Sequence, residues 1–167
     1  MRRILLLMIS SLFVLSLCAC GNATEEIKAP VNFYYLKTEI DFDSANGVLE
    51  KEVREGAGFH DNLSAFLHTY LRGPHSSELE RLIPLDVYLV SCEANESTVT
   101  IVFSAQFSSL SGLKLTTACS ALLLSVHDYT GADTIYIQAK DAQIEGKDSI
   151  VLSMNDVVLT DIVELTK

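Results

Sequence analysis

TVTIVFSAQFSSLSGLKLTTACSALLLSVHDYTGADTIYIQAK, residues 98–140, carries the pattern that decides the fold. At its start Val99, Ile101 and Phe103 alternate with Thr98, Thr100 and Val102. A period of two sends successive side chains to opposite faces of a strand, so one face is buried and the other mostly wet. In the middle, Leu115, Cys119, Leu122 and Val126 recur along one line at helical spacing, with Leu113, Ala121 and Leu124 widening it. This predicts a helix over residues 108–129, stopped by Gly131, whose apolar face is broad enough to lie across a sheet. Thr134-Ile135-Tyr136-Ile137-Gln138 predicts the next strand.

Upstream, residues 87–92 predict a strand that pairs with residues 98–104 as an antiparallel hairpin across Glu93-Ala94-Asn95-Glu96-Ser97. Before that, Leu63, Phe66, Leu67, Tyr70 and Leu71 share one helical stripe, with Asp61 or Asn62 as N-cap and Gly73-Pro74 as the stop. Residues 75–86 are expected to be a loop with a helical turn at residues 77–81. Val31, Phe33 and Tyr35 alternate within a first strand, and Asn46-Gly47 marks a turn back into a second strand over residues 48–54. Downstream, residues 150–152 and 157–159 are expected to add an edge hairpin. The expected class is α+β: a mixed or antiparallel sheet with two helices packed on one face.

The N-terminus reads as an address. Arg2 and Arg3 precede residues 4–19, ILLLMISSLFVLSLCA, an uncharged run of 16 residues. That is short of the roughly 20 needed to span a bilayer and fits a secretory signal peptide. Leu17-Cys18-Ala19-Cys20 resembles a bacterial lipobox, with Cys20 the residue lipidated; a frame ending at Cys18 would put bulky Leu17 at the cleavage position. Two acyl chains on Cys20 suffice for stable attachment, so the expected location is the outer face of the bacterial cytoplasmic membrane. Residues 21–30, GNATEEIKAP, are polar and aperiodic, as a tether would be. The partition expected is thus a leader over 1–19, lipidated Cys and tether over 20–30, a folded domain over 31–141, and C-terminal strands or an extension over 142–167.

Charge narrows the function classes. With 22 acidic and 12 basic residues the net charge is −10, and losing Arg2 and Arg3 with the leader makes it −12. Such a chain repels nucleic acid and anionic headgroups. Of four cysteines, Cys18 leaves with the leader and Cys20 is acylated. Cys92 and Cys119 are expected to be two buried thiols, with a disulfide as the alternative in an oxidising compartment.

Catalytic spacing is missing. His127-Asp128 ends the long helix, where a cationic imidazole favours the helix dipole, and reads as a surface cap. His60, His68 and His75 lack the i, i+4 spacing that aims two imidazoles at one metal. Ser108-Ser109-Leu110-Ser111-Gly112 lacks the leading glycine of a nucleophile elbow, and no phosphate-cradling glycine motif occurs. No metal, cofactor or nucleotide is expected. Tyr34, Tyr35, Tyr70, Tyr88, Tyr129 and Tyr136 are expected to serve mostly in packing, with those pointing away from the helices free for recognition.

Leu71-Arg72-Gly73-Pro74, Ile83-Pro84, Val99-Thr100-Ile101-Val102-Phe103-Ser104 with Phe107, and the long helix leading to Ile135-Tyr136-Ile137 together resemble the GerMN domain of sporulation and germination lipoproteins. The resemblance spans residues 31–141. Phe103 stands where many members have a smaller or Leu-like residue, and residues 144–167 extend past the final strand. The sporulation lipoprotein carries two such domains, and one fits here. The resemblance implies a module like the ring-building motifs of secretion systems, used for assembly between envelope proteins, and transfers no catalytic residue. The function expected is therefore a lipid-anchored, non-catalytic envelope protein that docks an envelope partner or further copies of itself. The alternative is a receptor for a small ligand or cell-wall component, with an envelope hydrolase third. The outer sheet face, beginning with Thr98, Thr100 and Val102, is the expected binding surface.

Overall fold

The computed structural model describes residues 29–40, 47–56, 58 and 61–156. Cys20, the leader, most of the tether, His60 and the strand expected at 157–159 lie outside the described residues.

Strand β1 (Pro30–Lys37) pairs antiparallel with β2 (Leu49–Glu55) along its length, from Pro30 opposite Glu55 to Leu36 opposite Leu49. Helix α1 (Leu63–Leu71) follows, and Asn62 caps it by accepting from the amide of Ala65 at 3.0 Å. The segment expected to hold a helical turn instead contributes β3 (Leu79–Glu80), which pairs with the far edge of β1 at Leu36 and Lys37. That edge would otherwise expose unpaired backbone groups, and satisfying them outweighs the weak local preference of two residues.

Strands β4 (Leu89–Ala94), β5 (Thr98–Phe103), β6 (Thr134–Ala139) and β7 (Ile150–Ser153) form a second sheet in that order. The outer pairs are antiparallel, and β5 and β6 are parallel, joined by helix α2 (Gly112–Thr130) as a crossover. The α+β class holds, with the strands divided between a three-stranded antiparallel sheet and a four-stranded mixed one.

Helix α2 begins later than the apolar spacing suggests. Residues Ala105–Ser109 form a 3₁₀ turn, and Ser108 Oγ donates to Ala105 O at 2.7 Å. Serine hydroxyls compete in this way for backbone partners, which keeps the Ser-rich approach out of the α-helix. The helix then shields the rest of the β1 edge. Tyr34 N donates to the buried Ser125 Oγ at 2.9 Å, while that hydroxyl donates to Ala121 O at 2.7 Å. Val99, Ile101, Phe103, Ile135 and Ile137 line the inner face of the second sheet and are fully buried beneath the helices.

Candidate functional site

Three surfaces or clusters could carry function. The first is the outer face of the four-stranded sheet. Thr98, Thr100 and Val102 all lie on it, half-buried, as their alternation requires. The register sets Thr100 between Glu93 and Tyr136, with Val151 beyond, and Val102 between Ser91 and Gln138. No second layer of described residues covers this face.

The second is a polar cluster that residue spacing did not reveal. Arg54, on β2, points inward and is only 8% exposed. Its guanidinium lies over the Phe33 ring at 4.8 Å and the Tyr35 ring at 5.7 Å. It pairs with Glu52 and donates to Gly73 O at 2.8 Å, while Nη1 has no hydrogen-bond partner among the described residues. Glu52 in turn accepts from the amides of His75 at 2.9 Å and Ser76 at 3.0 Å. Burial alone would raise the Glu52 carboxyl, but the Ser76 amide, the Arg54 guanidinium and the His75 amide together hold it below the usual carboxylate range.

Arg81 completes the cluster by donating to Leu71 O and Arg72 O, and Tyr35 Oη donates to Tyr70 O at 3.1 Å. Four consecutive carbonyls at the end of α1, residues 70–73, are thus each met by a side chain from β1, β2 or the β3 segment. A helix leaves its last carbonyls without intrahelical partners, so this clamp supplies what Leu71-Arg72-Gly73-Pro74 lacks locally. Burial pushes the Tyr35 phenol up to about 12, so it stays a donor.

The third is an open hollow of about 430 Å³ beside that clamp, lined by His68, Leu71, Arg72, Arg81, Leu85, Val87 and Tyr88. Leu85 is 81% exposed and Tyr88 is 59% exposed.

The residues singled out for reactive chemistry are dispersed. His127 Nδ1 lies 3.1 Å from Ala132 O, whereas Asp128 faces β1 and accepts from Asn32 Nδ2 at 2.8 Å and Tyr34 Oη at 2.9 Å. The two neighbours on the helix therefore face different partners and form no dyad. Cys92 and Cys119 are both free. Burial raises both thiols, Cys119 to about 12, which leaves neither as a ready thiolate at neutral pH. Among the described residues, no three His, Cys, Asp or Glu side chains come together to hold a metal ion. No helix among the described residues is long and apolar enough to cross a membrane.

An α+β fold with a βαβ crossover defines an architecture rather than any one activity. In its particular form it is similar to the GerMN domain. The tandem GerMN domains of the sporulation protein GerM from Bacillus subtilis superpose with a TM-score of 0.56 at 17% identity, covering 81% of this chain and 49% of that one. The first GerMN domain of the same protein gives 0.52 at 12% identity, over 77% of this chain and 100% of that one. A Clostridium perfringens protein provisionally classed as a lipoprotein gives 0.50 at 13% identity, over 76% and 88%. This chain spans about half the length of the tandem structure, and at these identities the likeness is one of fold. No family model matches the sequence, and no curated protein matches it.

Proposed function

We propose that this chain is a lipid-anchored, non-catalytic protein of the bacterial cell envelope, whose GerMN-like domain mediates assembly with an envelope protein, in sporulation or germination. The observation that supports it most is the GerMN fold standing behind the Leu17-Cys18-Ala19-Cys20 sequence. In this reading Cys20 carries the lipid and holds the domain on the outer face of the cytoplasmic membrane. The open sheet face around Thr98, Thr100 and Val102 then offers β-branched, largely uncharged area for a partner. Fractionation of cells tests the anchor. Wild-type protein is expected in the membrane fraction and in the detergent phase, and Cys20→Ala in the soluble fraction. Wild-type protein recovered free of membranes would sink the anchored reading.

A further inference from the structure

The hollow at the end of α1 is chemically out of character with the chain around it. In a protein with 22 acidic and 12 basic residues, seven residues line it and none is a carboxylate. Asp86 and Glu80, adjacent in sequence to lining residues, do not line it. Another hollow, of about 380 Å³, is lined by Ala139, Asp141, Ala142, Gln143 and Asp148 and has the acidic character expected of this chain. Among the described residues, Arg72 and Arg81 form no ion pair with a carboxylate. Arg81 is held in place by the Leu71 and Arg72 carbonyls, so its position is set before any partner arrives.

Beside these two charges stand Leu85 and Tyr88, the largest exposures of apolar surface in that loop, over a floor that includes buried Val87. Arginine and tyrosine around a hollow, with exposed leucine beside them, are the composition of an interface rather than of a solubilising surface. We infer that this hollow docks an acidic peptide segment of another envelope protein, with carboxylates on Arg72 and Arg81 and an aliphatic or aromatic side chain between Leu85 and Tyr88. Charge complementarity selects this occupant. The two arginines and the carboxylate-free lining fit an acidic segment, and an anionic wall polymer has no apolar group for Leu85 and Tyr88.

The inference rests on the assembly reading and can fail separately from it. The photo-crosslinking amino acid p-benzoylphenylalanine is placed at position 88 of the full chain in its native membrane, and in a second strain at position 100 on the outer sheet face. Crosslinked peptides are identified by mass spectrometry. The position-88 probe is expected to capture a segment rich in Asp and Glu that also carries apolar side chains. Arg72→Glu is expected to reduce that product roughly tenfold, Arg72→Lys to retain most of it, and added salt to weaken it. Arg72 is exposed, so unchanged melting temperatures in both variants verify the fold. Capture of a second copy of this chain, of a neutral or basic segment, or of a wall polymer would overturn the inference, as would a product indifferent to Arg72→Glu. Products at position 100 with none at position 88 overturn the hollow and leave assembly standing. No product at either position removes both.

Discussion

Helix α1 and helix α2 are each followed by a glycine at positive φ, Gly73 at +86° and Gly131 at +77°, but the two ends are built from different material. Gly131 returns its amide to His127 O at 2.7 Å, Ala132 N donates to Thr130 Oγ1 at 3.1 Å, and His127 reaches Ala132 O. Every partner lies within five residues. At the end of α1 the carbonyls of residues 70–73 are held by Tyr35 of β1, Arg54 of β2 and Arg81, the residue after β3. A local cap ends a helix; a tertiary clamp also fixes where that helix sits on its sheet. The difference teaches that the α1 end depends on the whole three-stranded unit, and that the surface beside it inherits that rigidity.

The comparison is broken most directly at Arg54. Arg54→Ala strands Glu52 and leaves Gly73 O without its donor in a buried site, and is expected to cost about 3–5 kcal/mol by urea unfolding. A loss no larger than that of a surface arginine would mean the clamp adds nothing. Glu52→Gln comes next and should be pH-dependent. The Glu52 carboxyl is held below its ordinary value of 4.5, so its stabilising contribution is full above that value and drains as pH falls through the lower folded-state value. The variant should therefore be weakest relative to wild type at neutral pH, and the two stability curves should converge in acid. Parallel curves would remove Glu52 from the clamp.

The glycines sharpen the contrast at smaller scale. A Cβ at position 73 would lie 2.9 Å from Arg81 Nε and Nη2, and that guanidinium is tied to two carbonyls and cannot simply swing away. At position 131 nothing lies within 4 Å of such a Cβ. Gly131→Ala should cost only the left-handed backbone penalty, about 1 kcal/mol, and Gly73→Ala that penalty plus the displaced guanidinium, about 2 kcal/mol or more in thermal melts. Equal costs would erase the distinction between the two ends.

What the sequence disclosed follows the same division. The end of α2 at Gly131 and the β5 alternation rest on near neighbours and were legible, and the first hairpin was legible from the alternation of β1 and the turn signal before β2. Strand β3 was not, because two residues have no period and their pairing is imposed by the open edge of β1. The Ser-rich approach to α2 was drawn into the helix because serine hydroxyls leave no mark on apolar spacing, and Leu113, counted with the apolar face, is 82% exposed because it lies on the side of the helix opposite Leu115. Arg54 hid in plain view: in LEKEVRE the charged residues look like a wet strand face, and only the helix end, two aromatic rings and Glu52 make an inward guanidinium tolerable. The i, i+2 spacing of Glu52 and Arg54 was the available signal. Thr98, Thr100 and Val102 were placed on the correct face because alternation alone decides that. The hollow combines residues from 68 to 88 through a helix end and a loop, and no spacing rule brings those together.

The hydroxyl of Ser125 against the amide of Tyr34 has a consequence for how copies of this domain can multiply. By capping a backbone donor with a helix side chain, it denies an incoming strand that stretch of β1 as a template. Fibrous growth through a shared backbone ladder is therefore blocked there, and a filament or ring built at that flank would have to be stitched through side chains, which mutation can unpick one residue at a time.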